Sequence, residues 1–169
     1  MSPSLKSKVI PLVEVPRRHA ILPTEENRPV VLIVDDERVI ADTLAIILSR
    51  NGFTTFTAYD AEEALELASV IPPELLISDV VMPGMTGVQL AIALGELVPD
   101  CKILLFSGQA ATADLLSAAR AAGHDFTTLT KPVHPTEMLR HIGECLKTPA
   151  AQPWRSPASQ QAQPVPAGA

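Results

Sequence analysis

Basic residues are scarce in this sequence: thirteen Lys and Arg stand against nineteen Asp and Glu, a formal charge of -6. Phosphate backbones are held by clustered Lys and Arg, so nucleic acid is excluded as an expected direct partner. Cysteine is also rare. The two present, Cys101 and Cys145, lack disulfide or metal-ligand spacing and read as reduced packing residues. No apolar run approaches the roughly 20 residues that a membrane span requires, and Pro3, Pro11 and Pro16 interrupt any hydrophobic region of an export signal. The expectation is a soluble, cytoplasmic chain with no membrane partner.

The charge imbalance belongs to the middle of the chain. Between Val30 and Lys147 there are sixteen acids and seven Lys and Arg, whereas the residues before Val30 carry five basic groups and three acids. Ten of the sixteen prolines lie outside that interval, where a fixed φ and a missing N–H oppose helix and sheet interiors. We therefore expect a disordered tail over 1–28, one domain over 29–147, and a disordered Pro/Ala/Gln-rich tail over 148–169, whose composition cannot offset chain entropy.

Within the domain, short apolar runs alternate with segments of helical period. Val30 to Val34 reads VVLIV, the continuous apolar pattern of a parallel strand buried on both faces. Ile40, Leu44, Ile47 and Leu48 recur at helical spacing until Asn51-Gly52 ends the helix. Further strands are expected at Thr54 to Ala58, Leu75 to Ser78, Ile103 to Phe106 and Thr127 to Thr130. Helices follow at Ala61 to Val70, Thr86 to Leu97, Ala111 to Ala122 and Pro135 to Leu146. Five strands and five helices in about 120 residues are too few for an eight-unit barrel and point to an open α/β doubly wound parallel sheet, which binds ligands at the carboxyl ends of its strands.

The residues after the strands are Asp35 and Asp36, Asp79, Ser107 and Lys131. Each has a plain explanation alone: an Asp pair caps a helix, a serine sits in a turn, a lysine meets solvent. Together they place three mutually repelling carboxylates near a hydroxyl and an amine. A hard divalent cation such as Mg²⁺ suits that donor set, and it leaves positions for phosphoryl oxygens. Pro83-Gly84 favours a tight turn after Asp79, and Gly84 and Gly87 permit positive φ there. Lys131-Pro132 holds the lysine extended.

VDDE at Val34 to Glu37, SDVVMPGMTG at Ser78 to Gly87, SG at Ser107-Gly108 and TKP at Thr130 to Pro132 resemble the receiver domain of two-component response regulators, in a stand-alone, chemotaxis-regulator-like form. The resemblance spans about Val30 to Lys147. It implies a flavodoxin-like sheet of order 2-1-3-4-5, with Asp79 as the phosphoacceptor of a histidine kinase or phosphotransfer protein. Asp36, Asp79 and the backbone carbonyl of Val81 would hold Mg²⁺, with Asp35 contributing through water. Ser107 and Lys131 would bind the phosphoryl group, and a cis Lys131-Pro132 bond would aim the amine. The chain would catalyse only its own phosphorylation and dephosphorylation.

Two departures concern the switch. The family usually carries Tyr or Phe three residues before the lysine, where this chain has Thr128; Phe126, two residues earlier, is the aromatic expected to substitute. Val81 and Gln109 occupy positions that tune dephosphorylation, and an apolar Val81 cannot hold an attacking water, so a persistent phosphoryl group is expected. The residues after Lys147 are too few for an output domain, which implies signalling by protein binding. A phosphate sink or relay intermediate is the alternative. An unphosphorylated scaffold would lack an acid or the lysine, and an Asp-nucleophile phosphatase would carry a second acid at Val81. The four histidines, His19, His124, His134 and His141, show no ligand spacing, and Arg17 to His19 and Trp154-Arg155 are candidate docking points in the tails.

Overall fold

The run Val30-Val31-Leu32-Ile33-Val34 forms strand β1 (Val30–Val34), and its alternating side chains feed two separate cores. Leu32 and Val34 enter one, while Val31 and Ile33 enter the other. In a computed structural model that describes residues 28–108 and 112–147, β1 is followed by α1 (Arg38–Arg50), β2 (Thr54–Ala58), α2 (Ala61–Val70), β3 (Leu75–Asp79), α3 (Gly87–Leu97), β4 (Lys102–Ser107), α4 (Ala113–Ala121), β5 (Thr127–Thr130) and α5 (Pro135–Lys147). All pairings are parallel, in the order β2-β1-β3-β4-β5. The fold is the expected flavodoxin-like α/β sheet. The predicted tails, apart from Arg28, lie outside the described residues, as do Gln109, Arg17 to His19 and Trp154-Arg155.

Small residues let three helices lie close on one face of the sheet: Ala61, Ala64 and Ala68 of α2, Ala91 of α3 and Ala119 of α4 join Leu76, Leu90, Leu94 and Leu105. On the other face α1 and α5 contribute Ala41, Leu48, Met138 and Ile142 against Leu75, Ile77, Leu104, Phe106 and Leu129. Each fully buried leucine contributes about 1.5–3 kcal/mol by leaving water. These two layers hold the carboxyl ends of β1, β3 and β4 in register, so the residues there have fixed spacing.

Local signals place the helix starts. Asp60 accepts a hydrogen bond from the Glu63 N–H at 2.8 Å. Thr86 and Gln89 form a reciprocal capping box at the start of α3. Pro135 opens α5, where its missing N–H costs nothing. Helix α4 begins at Ala113; the predicted Ala111 start lies outside the described residues. Strands β3 and β4 run one residue further than their apolar runs. Asp79 pairs with Phe106 and Ser107 with Thr130, so the polar residues are the last of their strands.

Candidate functional site

Strand ends bring four charged groups together. Asp35, just past β1, is 2% exposed. One of its carboxylate oxygens accepts from the Glu37 backbone N–H at 2.9 Å, and the other accepts from Lys131 Nζ at 3.1 Å. The local bond is the turn role open to any such aspartate; the lysine bond is the long-range one. Asp36 is exposed, and α1 takes no side-chain cap from Glu37, its N-cap residue. Asp79, at the end of β3, lies 3.3 Å from Lys131 Nζ through Oδ2. Lys131 thus bridges acids from β1 and β3.

One oxygen from each of Asp35, Asp36 and Asp79 lies within 4.8 Å of the other two. A single lysine leaves this cluster with excess negative charge, which a bound cation would offset. The donors are all carboxylate oxygens, which suits Mg²⁺ rather than a thiolate- or imidazole-seeking metal. Val81, two residues past Asp79, is 49% exposed at the rim.

Burial is the largest influence on Lys131 and lowers its pKa, but the charges and hydrogen bonds of Asp35 and then Asp79 outweigh it, so the amine is held above its ordinary value. It is protonated throughout the neutral range. A raised folded pKa means that the stability from this ion pair is fully present below the unfolded lysine value of about 10.4. It is lost as pH rises through the higher folded value. Urea unfolding of wild type between neutral pH and strongly alkaline pH is expected to show this loss above about pH 10.4. Lys131→Met is expected to be less stable at neutral pH and to fall less steeply over that window; equal slopes would refute the assignment.

Ser107 is the last residue of β4. It is 7% exposed, and its backbone carbonyl accepts from the Lys131 N–H at 2.9 Å. The Lys131-Pro132 peptide bond is cis. Gly84 has φ +74, as its turn requires, but Gly87 has no positive φ. Its requirement is space: a Cβ there would overlap the Asp79 carbonyl oxygen and touch Ser78 Oγ. The expectation of positive φ at Gly87 is therefore corrected to one of close approach, which no local pattern announces.

Phe126 is not brought to this cluster. It precedes β5, at the end opposite Lys131, where it packs partly buried on the α2-α3-α4 core and stacks on His124 at 6.1 Å. Thr128 is exposed. Outside the site, His134 Nδ1 accepts from the Thr136 N–H, and His141 lies beside Glu137 and Glu144 on α5. Burial pushes the Cys101 thiol up to about 12 and raises that of Cys145, as expected of unreactive packing thiols. A feature the sequence reading missed is Arg38, whose guanidinium lies 4.0 Å over the Tyr59 ring. The Tyr59 hydroxyl donates to Asp42 at 2.9 Å, tying α1 to the end of β2 beside the acids. Among the described residues, no helix is long and apolar enough to cross a membrane.

Comparison with known proteins gives a consistent family. A family model described as the response regulator receiver domain matches residues 31–143. The chain is 31% identical over 117 residues to the response regulator MprA of Mycobacterium ulcerans, covering 69% of this chain and 50% of that one. It is 35% identical over 125 residues to an uncharacterized 14.6 kDa protein of Leptolyngbya boryana, covering 70% and 92%. It therefore spans about half the length of the mycobacterial regulator. A solved CheY-like receiver domain protein of Methanospirillum hungatei aligns with TM-score 0.64 at 30% identity, covering 70% of this chain and 94% of that one.

Proposed function

The chain belongs to the response regulator receiver domain family, and on that premise we propose that Asp79 accepts a phosphoryl group from a histidine kinase or phosphotransfer protein and that the change is read by a protein partner. The observation that carries this reading is Lys131 Nζ standing between Asp35 and Asp79, at 3.1 and 3.3 Å, beside a third acid. A carboxylate oxygen of Asp79 attacks phosphorus, the bond from phosphorus to the donor imidazole nitrogen breaks, and that nitrogen takes a proton from solvent. Lys131 faces the charge that develops on the phosphoryl oxygens, a role that depends on positioning rather than covalent chemistry. Ser107 donates its hydroxyl to a phosphoryl oxygen after transfer.

Mg²⁺ would be held by Asp36, Asp79 and the Val81 carbonyl, and it supplies positive charge that offsets the carboxylates as an anionic donor enters. Asp35 acts through water, since each of its oxygens already accepts a protein hydrogen bond. The test is intact-mass measurement after incubation with Mg²⁺ and acetyl phosphate. One added phosphoryl group supports the reading, and its absence refutes it.

Val81 argues against a phosphatase, because an apolar side chain at the rim cannot serve as acid or base. The same residue supports a long-lived phosphoryl group on Asp79. In a time course by intact mass, wild type is expected to keep the adduct well beyond seconds, and Val81→Asn to lose it several-fold faster by holding a water near phosphorus. Loss from wild type within seconds would overturn this. A phosphate sink or relay intermediate uses the same site; recovery of the phosphoryl group on a second phosphotransfer protein would favour it over output by binding.

A further inference from the structure

Thr128 is small and exposed where receivers of this family usually carry an aromatic ring, and Phe126 lies at the wrong end of β5 to replace it. Among the described residues, the α4 side of the β4 and β5 strand ends therefore carries no ring to register a movement of Ser107. On the opposite side a ring stands directly next to Ser107 in the chain. Phe106 immediately precedes Ser107 in β4, so the two side chains point to opposite faces of the sheet. Phe106 lies in the α1-α5 core, 4% exposed. It is tied to the phosphoacceptor strand, because its carbonyl accepts from the Val80 N–H at 2.9 Å.

A close-packed core would resist displacement of such a ring. Here the ring borders a cleft of about 390 Å³ between α1 and α5, lined also by Ile40, Leu44, Val133, Met138 and the stem of Lys131. Ile40, Leu44 and Val133 are only partly buried, so the ring can shift without forcing apart a filled interior. Lys131 belongs to both places, holding Asp35 and Asp79 on one side and lining the cleft on the other.

We infer that Phe106 is the switch residue of this chain: when Ser107 turns toward a phosphoryl group on Asp79, the Phe106 ring moves within the α1-α5 cleft and reports phosphorylation on that face. The inference rests on the phosphoacceptor role of Asp79. It differs from a readout through β5 and α4 in both the residue and the surface that change.

The test uses the full chain labelled with 4-fluorophenylalanine at its four phenylalanines, Phe53, Phe56, Phe106 and Phe126, with Phe106→Leu assigning the Phe106 fluorine signal. Spectra are recorded in Mg²⁺ before and after acetyl phosphate, with the adduct followed by intact mass. The expected result is a shift of the Phe106 signal that tracks the adduct, with Phe126 nearly unmoved. Leu44→Trp, which fills the cleft from α1 without adding a fluorine label, is expected to accept the phosphoryl group as wild type does and to suppress the Phe106 shift. Adduct formation with a silent Phe106, or a Phe106 shift untouched by Leu44→Trp, would overturn the inference alone. No adduct on wild type would overturn the phosphoacceptor reading and this inference with it.

Discussion

Asp79→Asn is expected to abolish the phosphoryl adduct that wild type forms with acetyl phosphate and Mg²⁺, with no residual transfer to Asp35 or Asp36. The amide is nearly the same size but is a poor nucleophile, so the loss is chemical rather than structural. Asp35 cannot take over, because it is 2% exposed with both oxygens already accepting hydrogen bonds. Asp36 is exposed, yet no contact with Lys131 brings the amine to it among the described residues. The same substitution carries a stability signature of opposite sign. It removes one of three carboxylates whose oxygens lie within 4.8 Å, while Lys131 keeps its shorter bond to Asp35. Without Mg²⁺ the variant is therefore expected to be more stable than wild type by about 1 kcal/mol, a figure held down by solvent screening of the exposed Asp36. Adding Mg²⁺ is expected to raise the stability of wild type more than that of the variant, narrowing the gap. Urea unfolding with and without the metal, beside intact mass, reads both effects. A surviving adduct on the variant would move the phosphoacceptor elsewhere; a destabilised variant without Mg²⁺ would mean that pairing with Lys131 outweighs repulsion among the acids.

These two signatures explain which parts of the molecule were legible from residues alone. The buried strands were, because VVLIV and the shorter apolar runs reflect burial on both faces, a property of each segment. The convergence of Asp35, Asp36, Asp79 and Lys131 was legible because an open parallel sheet gathers the residues at its carboxyl strand ends. The strand ends themselves were misread by one residue: Asp79 and Ser107 are polar, and hydropathy cannot show that β3 and β4 still pair there. The surroundings of Phe126 were hidden for another reason. Alternation along a strand gives a residue's face, but not what packs on it, and here the Phe126 ring stacks on His124 against the α2-α3-α4 core. Arg38 over Tyr59 joins residues far apart in sequence, and its only sequence signal was an aromatic placed just after a strand.

Gly87 shows most clearly what pattern reading leaves out, and it carries the second large effect. Its neighbours suggest a turn glycine valued for φ, whereas the structure uses it to bring the start of α3 against the end of β3. The Gly87 N–H donates to the Val80 carbonyl at 2.9 Å, and a Cβ would overlap the Asp79 carbonyl oxygen. The nearest obstacle is backbone of β3, held by its pairing with β4, and the start of α3 is fixed by the Thr86-Gln89 capping box, so relief needs one element to move. Gly87→Ala is expected to cost about 1–2 kcal/mol, the upper part of the roughly 1–3 kcal/mol range for overpacking less the roughly 1 kcal/mol that alanine gains over glycine in a helix. Because the displaced atom belongs to Asp79, phosphorylation by acetyl phosphate is expected to slow as well. Gly143→Ala is the control: Gly143 lies within α5, a Cβ there meets nothing within 4 Å, and a gain of about 0.5–1 kcal/mol is expected from helix propensity alone. The two substitutions are the same chemical change in helices of one domain, so opposite signs in urea unfolding would isolate the contact between α3 and β3. Equal effects would show that α3 can shift away from Asp79 at little cost, and that the spacing of the site does not depend on this approach.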